Sequence, residues 1–370
     1  MINNQYFMTI ILSKTISLLR TALSFLIVFL HAAITGLSTQ ELEASYDGPY
    51  KAYEYVSGVL TMIARVGVPL FFIISGYLFF ISYKNTWEDY KHKITSRFFH
   101  LVQPIVIWTS LYLILYCVAQ QLPYTKDLFS GQNLLIADYD WKDFIGAYTG
   151  IFNNSYMFVG QFWFLRNLFV ICLFAPMLWY IYKYTKIYGL FAFGIIWLFH
   201  DPLEINIFVV DTLFFFTLGA WIALAEYDVE CFIRLSARKF YPLYILLLIV
   251  TTLSHGSAYN HYFYQLTVLS GTICMSHICY QVVNKGYGSV LVWLAPGSYF
   301  CFLLHQQVQM FVKRGLYKLV NPDNSLTMLL MYFLIPCLII FICYCLFAYL
   351  RKYHSSVLAV LTGTQDRIKS

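Results

Sequence analysis

Residues 20–31 read RTALSFLIVFLH, an apolar run with an ionisable side chain at each end. Ionisable groups at membrane depth are expensive and are functional candidates by default. The eleven steps from Arg20 to His31, at ~100° each, return the two side chains to nearly one face, and a rise of ~1.5 Å per residue sets them roughly 16 Å apart. That is about half of a hydrocarbon core of ~30 Å. One cation then lies near one rim and one imidazole lies deep, both facing the same groove. The arrangement suits a long anionic donor whose reactive end must reach a base inside the membrane.

The rest of the chain agrees with a membrane setting. Of 370 residues, 60% are hydrophobic and 11% charged, whereas a soluble domain is typically about 25% charged. Aromatic residues make up 20%, which fits interfacial belts and tight helix packing. The net charge of +6 reflects basic cytoplasmic loops, and nothing resembles a nucleic-acid arm. The nine cysteines fall mostly in apolar runs without a CxxC, so they read as small core hydrophobes and not as a disulfide frame or a metal site. Residues 16–36 share features with a signal peptide, but the many apolar spans that follow favour a retained first helix.

Ten apolar segments can be marked out by length and flanks: 16–36, 56–82, 100–120, 160–182, 187–200, 207–225, 240–254, 262–283, 290–312 and 327–350. The fold expected is all-α, a polytopic membrane bundle of about ten helices, forming a single domain over 1–350 with a short cytoplasmic tail at 351–370. The fifth and seventh segments are short. With the N-terminus in the cytoplasm, sixteen of the 24 Lys and Arg fall on the inner side and six on the outer, as the excess of positive charge inside requires. Both termini are then cytoplasmic in the cell's inner (plasma) membrane. The longest loop, 121–159, is external and a candidate lid over the outer mouth.

Several residues stand out chemically. His31 offers an imidazole, the side chain best suited to moving a proton near neutral pH; the plainer reading is a packed, hydrogen-bonded histidine. Arg20 offers a guanidinium that binds phosphate bidentately, or merely a snorkelling anchor. Arg65, in MIARVGVPLFFIISGYLFF, lies about ten residues into the second span, where a cation needs an anionic or carbonyl partner. It is a candidate for steadying developing negative charge, or one half of a structural salt bridge. Ser75 and Gly76 interrupt the same segment and are candidate contacts of the acyl donor: Gly76 admits a ligand or another backbone and Ser75 can hydrogen-bond it, while small-residue helix packing explains the pair equally well.

The inner loop KNTWEDYKHKITSRFFHLVQP carries Lys84, Lys91, Lys93, Arg97 and His100, an electrostatic landing site for a polyphosphate such as CoA or an ordinary positive-inside loop. On the outer side, Trp163 and Arg166 in GQFWFLRNLF and His305 in YFCFLLHQQ are candidates for substrate contact. Asp211 and the carboxylates of 36–55 are the acids that could orient His31. No P-loop, GxSxG or HExxH occurs in a plausible setting, so nothing supports ATP-driven transport or zincin chemistry.

The chain resembles the acyltransferase-3 family of integral membrane acyltransferases, which includes bacterial O-acetyltransferases of surface carbohydrate. Arg20 and His31 resemble its R-x10-H signature, GVPLFFIISGYLFF its second-helix pattern, FWFLRNLFVICLFAP its WFL-containing span, and YFCFLLHQ its late Tyr…Leu-His segment. The resemblance implies His31 as catalytic base and Arg20 as a ligand of the acyl donor, usually acetyl-CoA, with no metal. At the family's RxxR position Arg97 is followed by His100 instead of a second arginine. Some members append an extracellular hydrolase domain; here the membrane domain is expected to complete the transfer itself.

The mechanism expected has acyl-CoA docking from the cytoplasm near Arg20, Arg97 and neighbouring lysines, its thioester beside His31. A hydroxyl of a carbohydrate or glycolipid arrives from the outer half, with membrane lipid around the site. A covalent acyl-histidine is an alternative. The rival from another class is an exporter or flippase of polysaccharide or lipid-linked sugar. The acceptor and the oligomeric state are not legible in the sequence.

Overall fold

In lipid each segment must satisfy its own backbone polar groups, and for an isolated apolar run the helix is the solution. The computed structural model describes residues 8–32, 51–123, 125, 134–152, 156–200, 206–254, 257 and 259–364. Every regular element among them is helical. The helices are α1 (Ile10–Ala32), α2 (Lys51–Ala64), α3 (Gly67–Phe80), α4 (Trp87–Arg97), α5 (Gln103–Gln121), α6 (Trp141–Thr149), α7 (Trp163–Leu173), α8 (Ala175–Thr185), α9 (Ile187–Leu198), α10 (Ile207–Leu224), α11 (Val229–Leu235), α12 (Tyr241–Leu253), α13 (Asn260–Asn284), α14 (Ser289–Val320), α15 (Ser325–Tyr353) and α16 (Ser355–Thr362). Two compact units result, one of residues 1–83 with 177–346, the other of 84–176 with 347–370.

The protein is an all-α polytopic bundle. Six stretches among the described residues are long and apolar enough to cross a membrane: α1, α2 with α3, the run from α4 through α5, α10, α13 and α15. A seventh is the pair broken at Phe174, if α7 and α8 form one span. The expected ten is therefore not reached by this measure, for identifiable reasons. Helices α9 and α12 have 12 and 13 residues, or about 18–20 Å, against a core of ~30 Å. Helix α14 is long enough at 32 residues, but one stretch of it carries His305, Gln306, Gln307, Gln309 and Lys313.

In the first unit, α1 begins six residues before the expected span. Ser13, Lys14 and Thr15 belong to the helix because their backbone and hydroxyls are satisfied locally: Thr15 and Ser17 donate back to the carbonyls of Ile11 and Ser13. Residues 33–36 of that span lie outside the described residues. Leu12, Ile16, Leu19 and Leu23 recur at helical spacing and form one core with Val66, Leu70, Ile74 and Cys279. Helices α1 and α14 run the same way, since Thr21 bonds the Leu291 carbonyl while Gln309 and Lys313 reach Val28 and Ala32.

Helices α3 and α10 meet at two glycines. A Cβ on Gly76 would stand 2.1 Å from the Phe216 carbonyl oxygen, and one on Gly219 would stand 2.0 Å from that of Ile73. The close approach that Gly76 permits is thus to a backbone. This corrects the expected donor contact at Gly76: the space is taken by helix packing. Ser75 sits beside it, half-buried.

In the second unit, Thr86 caps α4 by accepting from the Asp89 amide. A π-helical turn, Phe98–Val102, joins α4 to α5. The long loop is not a bare lid. Its described part includes α6, and Leu113, Ile136 and Ala147 share a small core with α5; Ser110 and Tyr148 exchange a hydroxyl bond of 2.8 Å. The stretch expected as a short tail contains α16, which docks on α5: Gln103 and Trp108 donate to the carbonyls of Val360 and Leu361.

Candidate active site

The site is built on the last turn of α1. Helix α1 is continuous from Ile10 to Ala32, so Arg20 and His31 do share one face, with ~16 Å of rise between them. Arg20 is exposed and His31 half-buried. Carbonyls near the C-terminal end of α1 are met from α14, where polar residues recur every fourth position. Gln309 Nε2 donates to the Val28 carbonyl at 3.2 Å, and Lys313 Nζ to the Ala32 carbonyl at 3.0 Å. A cation on the last carbonyl also complements the helix dipole. One turn earlier on α14 stands His305, whose ring centroid lies 5.3 Å from that of His31.

His305 is completely enclosed, 0% exposed. Its Nδ1 lies 2.8 Å from the Phe302 carbonyl oxygen and 3.2 Å from that of Cys301. A carbonyl can only accept, so Nδ1 carries the proton and Nε2 of the neutral ring is an acceptor. That Nε2 has no hydrogen-bond partner among the described residues, and neither has Gln309 Oε1. Enclosure leaves His305 no surface of its own for a substrate; its expected direct contact with one is replaced by contact with His31.

Arg65 belongs to a different cluster of the same unit. It occupies the break between α2 and α3 and is exposed. Its guanidinium carbon lies 5.3 Å from the Tyr264 ring centroid; the side chain also hydrogen-bonds Tyr264 and faces the charge of Asp211. Asp211 accepts from Trp197 Nε1 at 2.7 Å. Trp197, His200 and Gln265 continue the network, with His200 Nδ1 2.9 Å from Gln265 Nε2 and 3.0 Å from the Trp197 carbonyl. Asp211 is therefore committed to Trp197 and Arg65 and not to orienting His31. Of the carboxylates of 36–55, only Glu54 is among the described residues, in the first turn of α2.

The second unit holds the remaining candidates. Arg97 ends α4 just before the π turn, half-buried, with Cys172 as an electrostatic neighbour. His100, at the position of the second arginine in the family motif, has Nδ1 2.7 Å from the Ser96 carbonyl. A π turn is an uncommon element often found at functional sites. Trp163 opens α7. Arg166 donates to the Thr149 carbonyl at 2.7 Å and to Asn167 Oδ1 at 3.0 Å. It thereby covers the C-terminal end of α6, a structural task the sequence did not reveal.

Sequence reading missed Gln309, Lys313, Tyr264 and Trp197. The spacing of His305, Gln309 and Lys313 is visible in HQQVQMFVK, and would have revealed the polar face had the segment been read past 312.

A family model described as an acyltransferase domain matches residues 14–348, nearly the whole chain. Comparison with curated proteins gives no match, and comparison with solved structures gives none.

Proposed function

The chain belongs to the acyltransferase-3 family, and from that premise we propose that this membrane acyltransferase moves an acyl group, acetyl by the resemblance, from acyl-CoA to a hydroxyl of a cell-surface carbohydrate or glycolipid. The observation that carries the reading is the pairing on α1: a half-buried His31 with Arg20 about 16 Å behind it on the same face. A pantetheine arm spans a similar length. In this reading Arg20 holds donor phosphate through its guanidinium fork, and Arg97 serves the same chemistry in its own unit.

His31 takes the proton of the attacking hydroxyl as the new C–O bond forms. The thioester C–S bond breaks, and the imidazolium returns the proton to the departing thiolate. Arg65 is engaged with Tyr264 and faces Asp211, so oxyanion stabilisation is not assigned to it. Guanidinium, carboxylate, indole and phenol together suit a hydroxyl-rich acceptor, and we place acceptor recognition there. Within the second unit Trp163 is kept as a candidate for substrate contact, with Arg166 structural. The enzyme sits in the inner membrane with both termini cytoplasmic.

The test uses membrane vesicles carrying the full chain and radiolabelled acetyl-CoA. The wild type transfers label to envelope glycan or glycolipid. His31→Ala inserts normally and loses transfer by about 100-fold or more. Transfer no greater than in vesicles lacking the chain would discard the enzyme reading and favour the export of a sugar made elsewhere; undiminished transfer by His31→Ala would remove His31 as the base.

A further inference from the structure

A base of this kind needs a third group that orients it and holds its second nitrogen. Carboxylates usually supply it, whereas the described groups that act electrostatically on His31 are His305 and Lys313. The first unit offers another acceptor. His305 lies against His31, its Nδ1 proton is committed to the Phe302 carbonyl, and its Nε2 is buried without a partner. A buried acceptor left without a donor is costly, and an N–H on the neighbouring imidazole can satisfy it. Apo catalytic hydrogen bonds are often long and tighten when substrate binds.

Resting on the acyltransfer reading above, we propose that His305 is the positioning residue of His31: its Nε2 accepts the N–H of His31, which selects the His31 tautomer whose other nitrogen faces the acceptor hydroxyl. During transfer the hydroxyl proton goes to that other nitrogen, the C–O bond forms and the C–S bond breaks. The proton shared between the two imidazoles stays between them, and the imidazolium protonates the thiolate. Gln309 and Lys313 hold the last turn of α1 from the same face of α14, so base and partner are carried on two helices tied at three successive turns.

Two measurements on the full-length protein in lipid bilayers test this. Imidazole nitrogen spectra of isotope-labelled histidine, assigned through His31→Gln, report tautomer and hydrogen bonding without turnover. His305→Phe keeps an aromatic ring but no acceptor; it is expected to shift the His31 N–H resonance and lower kcat by about 100-fold, with KM for acetyl-CoA within about twofold. His305→Gln restores an acceptor oxygen and is expected to recover part of the loss, about tenfold. An unmoved His31 resonance, or a wild-type kcat in His305→Phe alongside an inactive His31→Gln, overturns the inference alone. A shift on Gln309→Leu but not on His305→Phe overturns it in favour of Gln309. A wild-type chain that transfers no acetyl overturns the acyltransfer reading itself, and an active His31→Gln removes His31 as the base and the inference with it.

Discussion

Trp197 gives its indole N–H to Asp211 at 2.7 Å and stacks on Phe214 with ring centroids 4.8 Å apart. The pair holds a carboxylate at the head of an apolar helix, where an unpaired one would be costly. Trp197→Phe keeps the ring and removes the donor. The expected loss is about 1.5–3 kcal/mol, as for hydrogen bonds to charged groups, read from denaturant unfolding in detergent; a change below about 0.5 kcal/mol would show that the bond contributes nothing net. Sequence singled out Arg65 and Asp211 because charge in an apolar run is conspicuous. It did not join them, since 146 positions separate them and only the packing of α3 beside α10 brings them together. Trp197 and Tyr264 escaped notice for the opposite reason: among 8 Trp and 32 Tyr, no single aromatic is conspicuous.

At the scale of elements, glycines record which helices touch. Gly58 and Gly219 are both helical, yet nothing lies within 4 Å of a Cβ on Gly58, while one on Gly219 would overlap the Ile73 carbonyl. Gly219→Ala is expected to separate α3 from α10 and cost about 1–3 kcal/mol. Gly58→Ala is expected to stabilise by up to about 1 kcal/mol through helix propensity. Thermal unfolding of the two variants in one detergent decides it, and equal midpoints would refute the packing account. Gly363, just after α16, has φ +66°, and a Cβ there would lie 1.9 Å from the Phe99 carbonyl oxygen. Gly363→Ala is expected to lift α16 off the π turn, seen as faster protease cleavage after Leu350; unchanged cleavage would mean that the other bonds of α16 suffice. Sequence reading marked 351–370 only as a short tail, because an eight-residue stretch has no helical stability of its own and forms only against a partner.

At the scale of the molecule, the expected orientation rests on charge: with the ten segments read from the sequence, sixteen cations fall on the side expected to be cytoplasmic and six outside. A fluorescent protein fused at the C-terminus is expected to fold and emit, as it does only on the cytoplasmic side; a dark fusion with an active periplasmic reporter would reverse the assignment. What the sequence alone decided was the class of protein, its helical segments and the Arg20–His31 face. Those follow from hydropathy and from the fixed 3.6-residue turn, which are local properties that survive in any tertiary arrangement. What only the tertiary structure decided was the company each polar residue keeps: His31 with His305, Arg65 with Tyr264 and Asp211, Arg166 with the end of α6, Gly76 with a backbone. Lipid satisfies no polar group, so each must find a partner in the protein, and for these residues that partner lies on another helix. Which helix that is depends on packing between surfaces far apart in the chain, and periodicity within one segment carries no record of it.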